Sequence, residues 1–285
     1  QRRFSDLPGY VLEARDAITR AGLHEAARLE DLGDVDGALA AYRRVVENDP
    51  TNIVAQRRGT MLEASRGESA SAIARAVREL AVSSRSPTAH WAYALALTWS
   101  KPPELSRALE EAEIALSLNP QFTHAYITRG WIREMQELER PGLASRLWES
   151  LARWFGATLG GLFEADVQRE GSLELAIADY KTALRLNPEA VDRRTEAEIS
   201  LNLGNAHYRL AERRGDLTNM RGAFERYVDC IRLGFEFHDD DMEAVFWERM
   251  GRAASWVEQW AASAMATRRA IRIRERTGKP DRLAS

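Results

Sequence analysis

Apolar positions in this chain follow a small-and-large rhythm. Leu95, Ala96 and Trp99 mix the two sizes, and Ala108, Ala112 and Ala115 then recur three or four residues apart. Such spacings put their apolar side chains on one face of an α-helix. Small residues let two helices approach closely and large ones fill the gaps, so the stretch from about Ala89 to Phe122 predicts a packed pair of antiparallel helices. Pro120 follows the second, where its fixed φ and missing N–H stop a helix. The phrase that ends there, Ala-Leu-Ser-Leu-Asn-Pro, returns as Ala-Leu-Arg-Leu-Asn-Pro ending at Pro188, 68 residues later. That is twice 34, and self-similarity at such a period marks stacked hairpins, each burying its apolar face against its neighbours.

Other stretches carry parts of the same pattern. Gly33, Ala38, Tyr42 and Pro50 repeat its second half, as do Gly171, Ala176, Tyr180, Ala183 and Pro188. Leu-Asn-Leu-Gly-Asn-Ala-His-Tyr from Leu201 to Tyr208 repeats its first half, and Trp247, Met250 and Gly251 do so again. On these residues the chain resembles the tetratricopeptide repeat (TPR) family, whose unit reads Trp-x2-Leu-Gly-x2-Tyr, then Ala-x3-Phe, then Pro. The resemblance covers nearly the whole chain. It implies an all-α fold, a right-handed superhelical solenoid of about seven antiparallel helix-turn-helix repeats.

The expected units are 19–52, 53–88, 89–122, 123–156, 157–190, 197–237 and 244–277, with residues 1–18 as a cap built on a helix from Tyr10 to Arg20. The second unit reaches Pro87 three residues late, and the sixth carries about seven extra residues around Gly215 to Gly222. Both read as loop insertions. The fourth is irregular: Pro141-Gly142 interrupts it, and Ala144, Trp148, Leu151 and Gly156 keep the spacing of a second helix displaced by two residues. The fifth opens on Gly160-Gly161, poor in helix propensity.

Composition narrows the function classes. Forty basic against 43 acidic residues leave a net charge of −3, so no overall basic field attracts nucleic acid or an anionic membrane. The one cysteine, Cys230, rules out an internal disulfide and leans towards a reducing, cytoplasmic compartment. The longest uncharged apolar runs, Trp91 to Thr98 and Trp154 to Phe163, are far short of the roughly 18 to 20 residues that span a bilayer. The chain starts at Gln1 without an initiator methionine or signal-like segment, which suggests an excised fragment or a processed terminus.

No catalytic signature is present: there is no Gly-x4-Gly-Lys-Ser/Thr loop and no Gly-x-Ser-x-Gly elbow, and His24-Glu25 leads into Ala26-Ala27-Arg28 rather than a second ligand. His24, His90, His124, His207 and His238 form no pair with ligand spacing, so neither a metal nor another cofactor is expected. Asp239 to Asp241 beside His238 read as helix-capping carboxylates. Cys230, three residues after Tyr227, reads as a buried inert thiol, and His207 as a packed histidine. Arg268 to Arg276 form a basic C-terminal helix, read as the polar end of the array. Leu147, Trp148, Leu151, Trp154 and Phe155 recur at helical spacing, and the excess over core needs is a candidate interface patch at Trp148, Trp154 and Phe155.

The resemblance implies a non-catalytic scaffold whose first helices line a concave groove for a partner peptide or domain. By repeat register, Arg57, His90, Tyr93, Ile127, Trp131, Asn205, Glu248 and Arg252 point into that groove. Asn202, Asn205, Arg249 and Arg252 echo part of the carboxylate-holding set of chaperone-binding family members, but its lysines are missing. Two other readings stay open: self-association through the aromatic patch, and a regulatory array in a larger bacterial signalling enzyme, suggested by Ala-Ile-Ala-Asp-Tyr at 176–180.

Overall fold

The structure, a computed structural model, describes residues 7–138, 171–186, 193–237 and 240–278. Among these residues there are twelve helices and no strand. The chain divides into two compact units, Gln1–Thr128 and Arg129–Ser285. The first holds α1 (Leu7–Asp31), α2 (Val35–Asn48), α3 (Ile53–Ser65), α4 (Ser69–Val82), α5 (Pro87–Thr98), α6 (Leu105–Leu118) and the opening of α7 (Thr123–Leu138). The second holds the rest of α7, then α8 (Ser172–Leu186), α9 (Arg193–Arg214), α10 (Leu217–Arg232), α11 (Asp240–Trp256) and α12 (Trp260–Thr277).

Local chemistry sets the helix ends. Asp34 accepts from Gly37 N–H at 3.0 Å, Asn52 from Ala55 N–H at 3.0 Å and Asp216 from Thr218 N–H at 2.8 Å. Each satisfies a donor that the first helical turn leaves unpaired. Gly33 and Gly215 take φ of 75° and 67° in the turns between paired helices, a conformation that costs other residues a Cβ clash. Pro87 opens α5 behind its Ser86 cap rather than closing α4, which accounts for its late position in the second unit.

Packing follows the size pattern. In the first unit Ala38, Ala41, Tyr42, Val45 and Val46 on α2 bury against Ala26 of α1 and Ala55 of α3. On α6, Ala108, Ala112 and Ala115 are wholly buried. Trp91, also wholly buried, donates its indole N–H to Thr128 Oγ1 at 2.8 Å and stacks obliquely on Phe122, ring centres 5.7 Å apart. In the second unit Tyr227, Phe246 and Trp247 make successive edge contacts at 5.2 and 5.1 Å inside a core that includes Met220, Met250 and Ile273.

Three expectations change. The N-terminal cap is not separate: α1 is one helix of 25 residues, running past Arg20 to Asp31. Gly22 lies inside it against Val45, whose Cγ2 would be 2.7 Å from an added Cβ, so the glycine there serves close packing rather than a break. The extra residues of the sixth unit do not form a loop either. They lengthen α9 to Arg214 and start α10 at Leu217, and seven residues are close to two helical turns, so one turn added to each helix keeps the facing side chains in register.

The third change is the largest. Among the described residues, the helix packed against α7 is α8. Gly130 on α7 faces Tyr180 on α8 closely enough that an added Cβ would sit 2.8 Å from Tyr180 Cε1. Arg129 Nη2 and Arg133 Nη1 donate to the Asp179 carboxylate at 2.6 and 2.5 Å. In the hairpin α11/α12 the equivalent facing pair, Gly251 and Thr267, lies 16 residues apart, whereas Gly130 and Tyr180 lie 50 apart. The excess of 34 equals one repeat length. The two near-identical phrases lie at the ends of α6 and α8. Residues 139–170, with Trp148, Trp154 and Phe155, lie outside the described residues.

Candidate partner-binding face

In the second unit the helices that open each hairpin, α7, α9 and α11, carry a polar face laced by arginines. Arg209 Nη1 on α9 donates to Glu134 Oε2 on α7 at 2.9 Å. From α11, Arg249 Nη1 donates to Asn205 Oδ1 and Arg252 Nη1 to Glu212 Oε1, each at 2.8 Å and each on α9. Every one of these guanidinium groups reaches back to the preceding first helix. Residues 205, 208, 209 and 212 lie on one face of α9 because they are three or four apart.

Tyrosines complete the network. Tyr227 donates its hydroxyl to Asn205 Oδ1 at 3.0 Å, and Tyr208 donates to Glu212 Oε1 at 2.8 Å. The Arg249 guanidinium lies 5.7 Å from the centre of the Tyr208 ring, within cation–π range. Burial raises the pKa of both phenols, so they remain donors. Burial likewise raises the Glu134 carboxyl, opposed by the charge of Arg209 and the hydrogen bond from Tyr180. The arginines stay partly open: the Arg252 side chain is 46% exposed and that of Arg209 23%. Each guanidinium carries five N–H donors, more than these bonds use.

The residues assigned by register divide between the units. In the first, Arg57 and Ile127 are half-buried. His90 is held at both ring nitrogens, by Glu111 Oε2 at 2.7 Å and the Ser84 carbonyl at 3.1 Å. Tyr93 is 4% exposed, with the Arg107 guanidinium 5.0 Å from its ring centre, and so packs inside its hairpin instead of lining an open surface. In the second unit Trp131 is half-buried on α7, and Asn205 and Arg252 join the arginine network just described. Glu248 departs from expectation: it is 8% exposed and accepts from Arg274 Nε at 2.9 Å, facing α12. Register also overlooked Glu134, Tyr208, Arg209 and Glu212, whose spacing of three, four or seven residues from Trp131 or Asn205 was the available signal.

Cys230 is fully buried and its thiol is pushed up to about 12 by that burial. His207 Nδ1 lies 2.7 Å from Asn219 Oδ1. Among the described residues no three His, Cys, Asp or Glu side chains are placed to hold a metal, and no helix is long and apolar enough to cross a membrane.

No family model matches the chain, and no curated protein does. Solved structures do. A thermophilic TPR protein from Thermus thermophilus is similar over 81% of this chain and 98% of its own, at 15% identity and a TM-score of 0.51. PilW, described as a widely conserved type IV pilus biogenesis factor, is similar over 94% of this chain and 97% of its own, at 14% identity and a TM-score of 0.51. Pseudomonas aeruginosa pilF is similar over 89% and 90%, at 15% identity and a TM-score of 0.50. The chain has the helical-repeat fold of TPR proteins.

Proposed function

We propose that this protein is a non-catalytic interaction scaffold, and that the first-helix face of its second unit receives a segment of a partner protein. One observation carries the reading. Arg209 on α9 and Arg249 and Arg252 on α11 are each held by hydrogen bonding to the first helix before it. A partner would meet guanidinium groups that are already oriented, so less side-chain entropy is lost on binding. Arginine and aromatic side chains concentrate affinity at protein interfaces, and Trp131 lies one turn from Glu134 on the same helix. The fold shared with PilW accords with a role in bringing proteins together, though at 14% identity the likeness extends to the fold alone.

The test compares proteins captured from a lysate by the native chain, by Arg252→Glu and by Trp131→Ala, with melting measured on all three. A partner held by the native chain and lost from both variants, at little-changed melting for Arg252→Glu, supports the face. A partner retained by both variants would place binding elsewhere.

A further inference from the structure

Among the second helices of the first unit, α2 and α4 and the turn into α5 border a groove of about 570 Å³, within the size range of built binding pockets. Val46, Pro50, Val82 and Ala89 supply its apolar lining, and Arg78 and Glu79 stand beside them on α4. Its floor is preformed. Gln56, 1% exposed, donates its amide to the Pro50 carbonyl at 3.2 Å and to Glu79 Oε1 at 2.9 Å, tying together two residues of the lining. Arg43 and Arg75, which also border the groove, are fixed by the fully buried Glu63 at 3.0 and 2.9 Å.

Two groups in this rigid frame lack cover. Val82 is 91% exposed, an apolar side chain with its surface left in water. Arg78 makes no hydrogen bond among the described residues, in contrast to Arg43 and Arg75, and feels only the charge of the adjoining Glu79. Its neighbour Glu79 accepts from Gln56 through both carboxylate oxygens. The frame thus offers a cation without a hydrogen-bonded partner near the exposed side chain of Val82, and the complementary chemistry is a carboxylate beside an apolar side chain.

We infer that this groove is a second docking site, for an extended segment of a partner protein that seats an apolar side chain over Val46, Pro50 and Val82 and sets a carboxylate against Arg78. It lies on second helices of the first unit and does not depend on the arginine-laced face of the second.

The test uses the whole chain carrying labelled valine, leucine and isoleucine methyl groups, observed by NMR. The probes are two synthetic hexapeptide mixtures, one with Val-x-Asp fixed at its centre and one with Val-x-Lys. The Val-x-Asp mixture is expected to shift the Val46 and Val82 methyl signals. Arg78→Glu should weaken that response about tenfold or more by placing like charges together, and should bind the Val-x-Lys mixture better than the native chain does. Val82→Glu, at a fully solvated position, should abolish the Val-x-Asp response at unchanged helical signal. No shift at Val46 or Val82 at millimolar peptide, or a shift that survives Arg78→Glu, would overturn the site. Shifts confined to Leu201 and Val245, on the first helices of the second unit, would overturn it too while leaving the other face standing.

Discussion

Tyr180 donates its hydroxyl to Glu134 Oε1 at 2.6 Å across 46 residues of chain, with both side chains buried. The same ring lies against Gly130, so a single tyrosine supplies both the close approach of α7 and α8 and the donor that a buried carboxylate requires. Tyr180→Phe keeps the ring and deletes only the donor, which should cost about 1 to 3 kcal/mol because Glu134 keeps its desolvation and loses a partner. Gly130→Ala should cost about 1 to 3 kcal/mol by a different route, forcing a methyl into a fully buried ring. Urea denaturation measures both. Unchanged midpoints in the two variants would mean that α7 and α8 are not partners.

His207 makes stability depend on pH with a definite sign. Burial lowers its pKa below the ordinary value, while the unfolded imidazole takes up its proton near pH 6.5. Between the two pKa values the unfolded chain holds more protons, so stability rises with pH in that window. The contribution is complete above about pH 6.5 and disappears as pH falls through the folded value. His207→Gln should therefore lose less stability than the native chain between pH 7 and pH 5. Equal losses in the two proteins would show that His207 is not the linked group.

Cys230 should be silent to thiol reagents in the folded protein. The thiol is buried in the core of the second unit, and its raised pKa suppresses the reactive thiolate. A disulfide-exchange chromophore should label it only as denaturant opens the fold, with the labelling curve following the helical signal. Fast labelling in native buffer would mean that this part of the core opens locally.

Hairpin chemistry was legible wherever it is local. The alanines of α6 and the pattern glycines Gly33 and Gly204 are read from spacing because each acts within one hairpin. Which helix partners which was not. Gly130 and Tyr180 lie 50 residues apart, one period more than the 16 between Gly251 and Thr267, so periodicity alone reads another repeat between them. Two register assignments, Glu248 and Tyr93, changed for a related reason. Register names a position but not the competition for its side chain: Glu248 is taken by Arg274 from α12, and Tyr93 is closed over by α6 with Arg107. Arg209 and Glu134 escaped notice because their pairing spans 75 residues.

The chain between α7 and α8 provides the sharpest test of their contact. Tyr180 lies nine residues after Gly171, as Tyr42 does after Gly33, and Gly171 has the same left-handed conformation, with φ 97° against 75°. The start of α8 therefore already has the turn chemistry of an ordinary second helix; Arg129 and Arg133 on α7 donate to Asp179 on α8, and Tyr180 and Ser172 on α8 donate to Glu134 and Glu137 on α7. Replacing residues 139–170 by a four-residue Gly-Ser turn should leave a folded protein with a single cooperative transition. Loop-closure entropy changes by roughly 0.6 kcal/mol per doubling of length, so shortening about eightfold should add up to about 2 kcal/mol of stability where the removed segment contributes no packing. Circular dichroism and urea denaturation of the deletion variant decide the matter. Loss of the cooperative transition would mean that the fold of the second unit depends on residues 139–170.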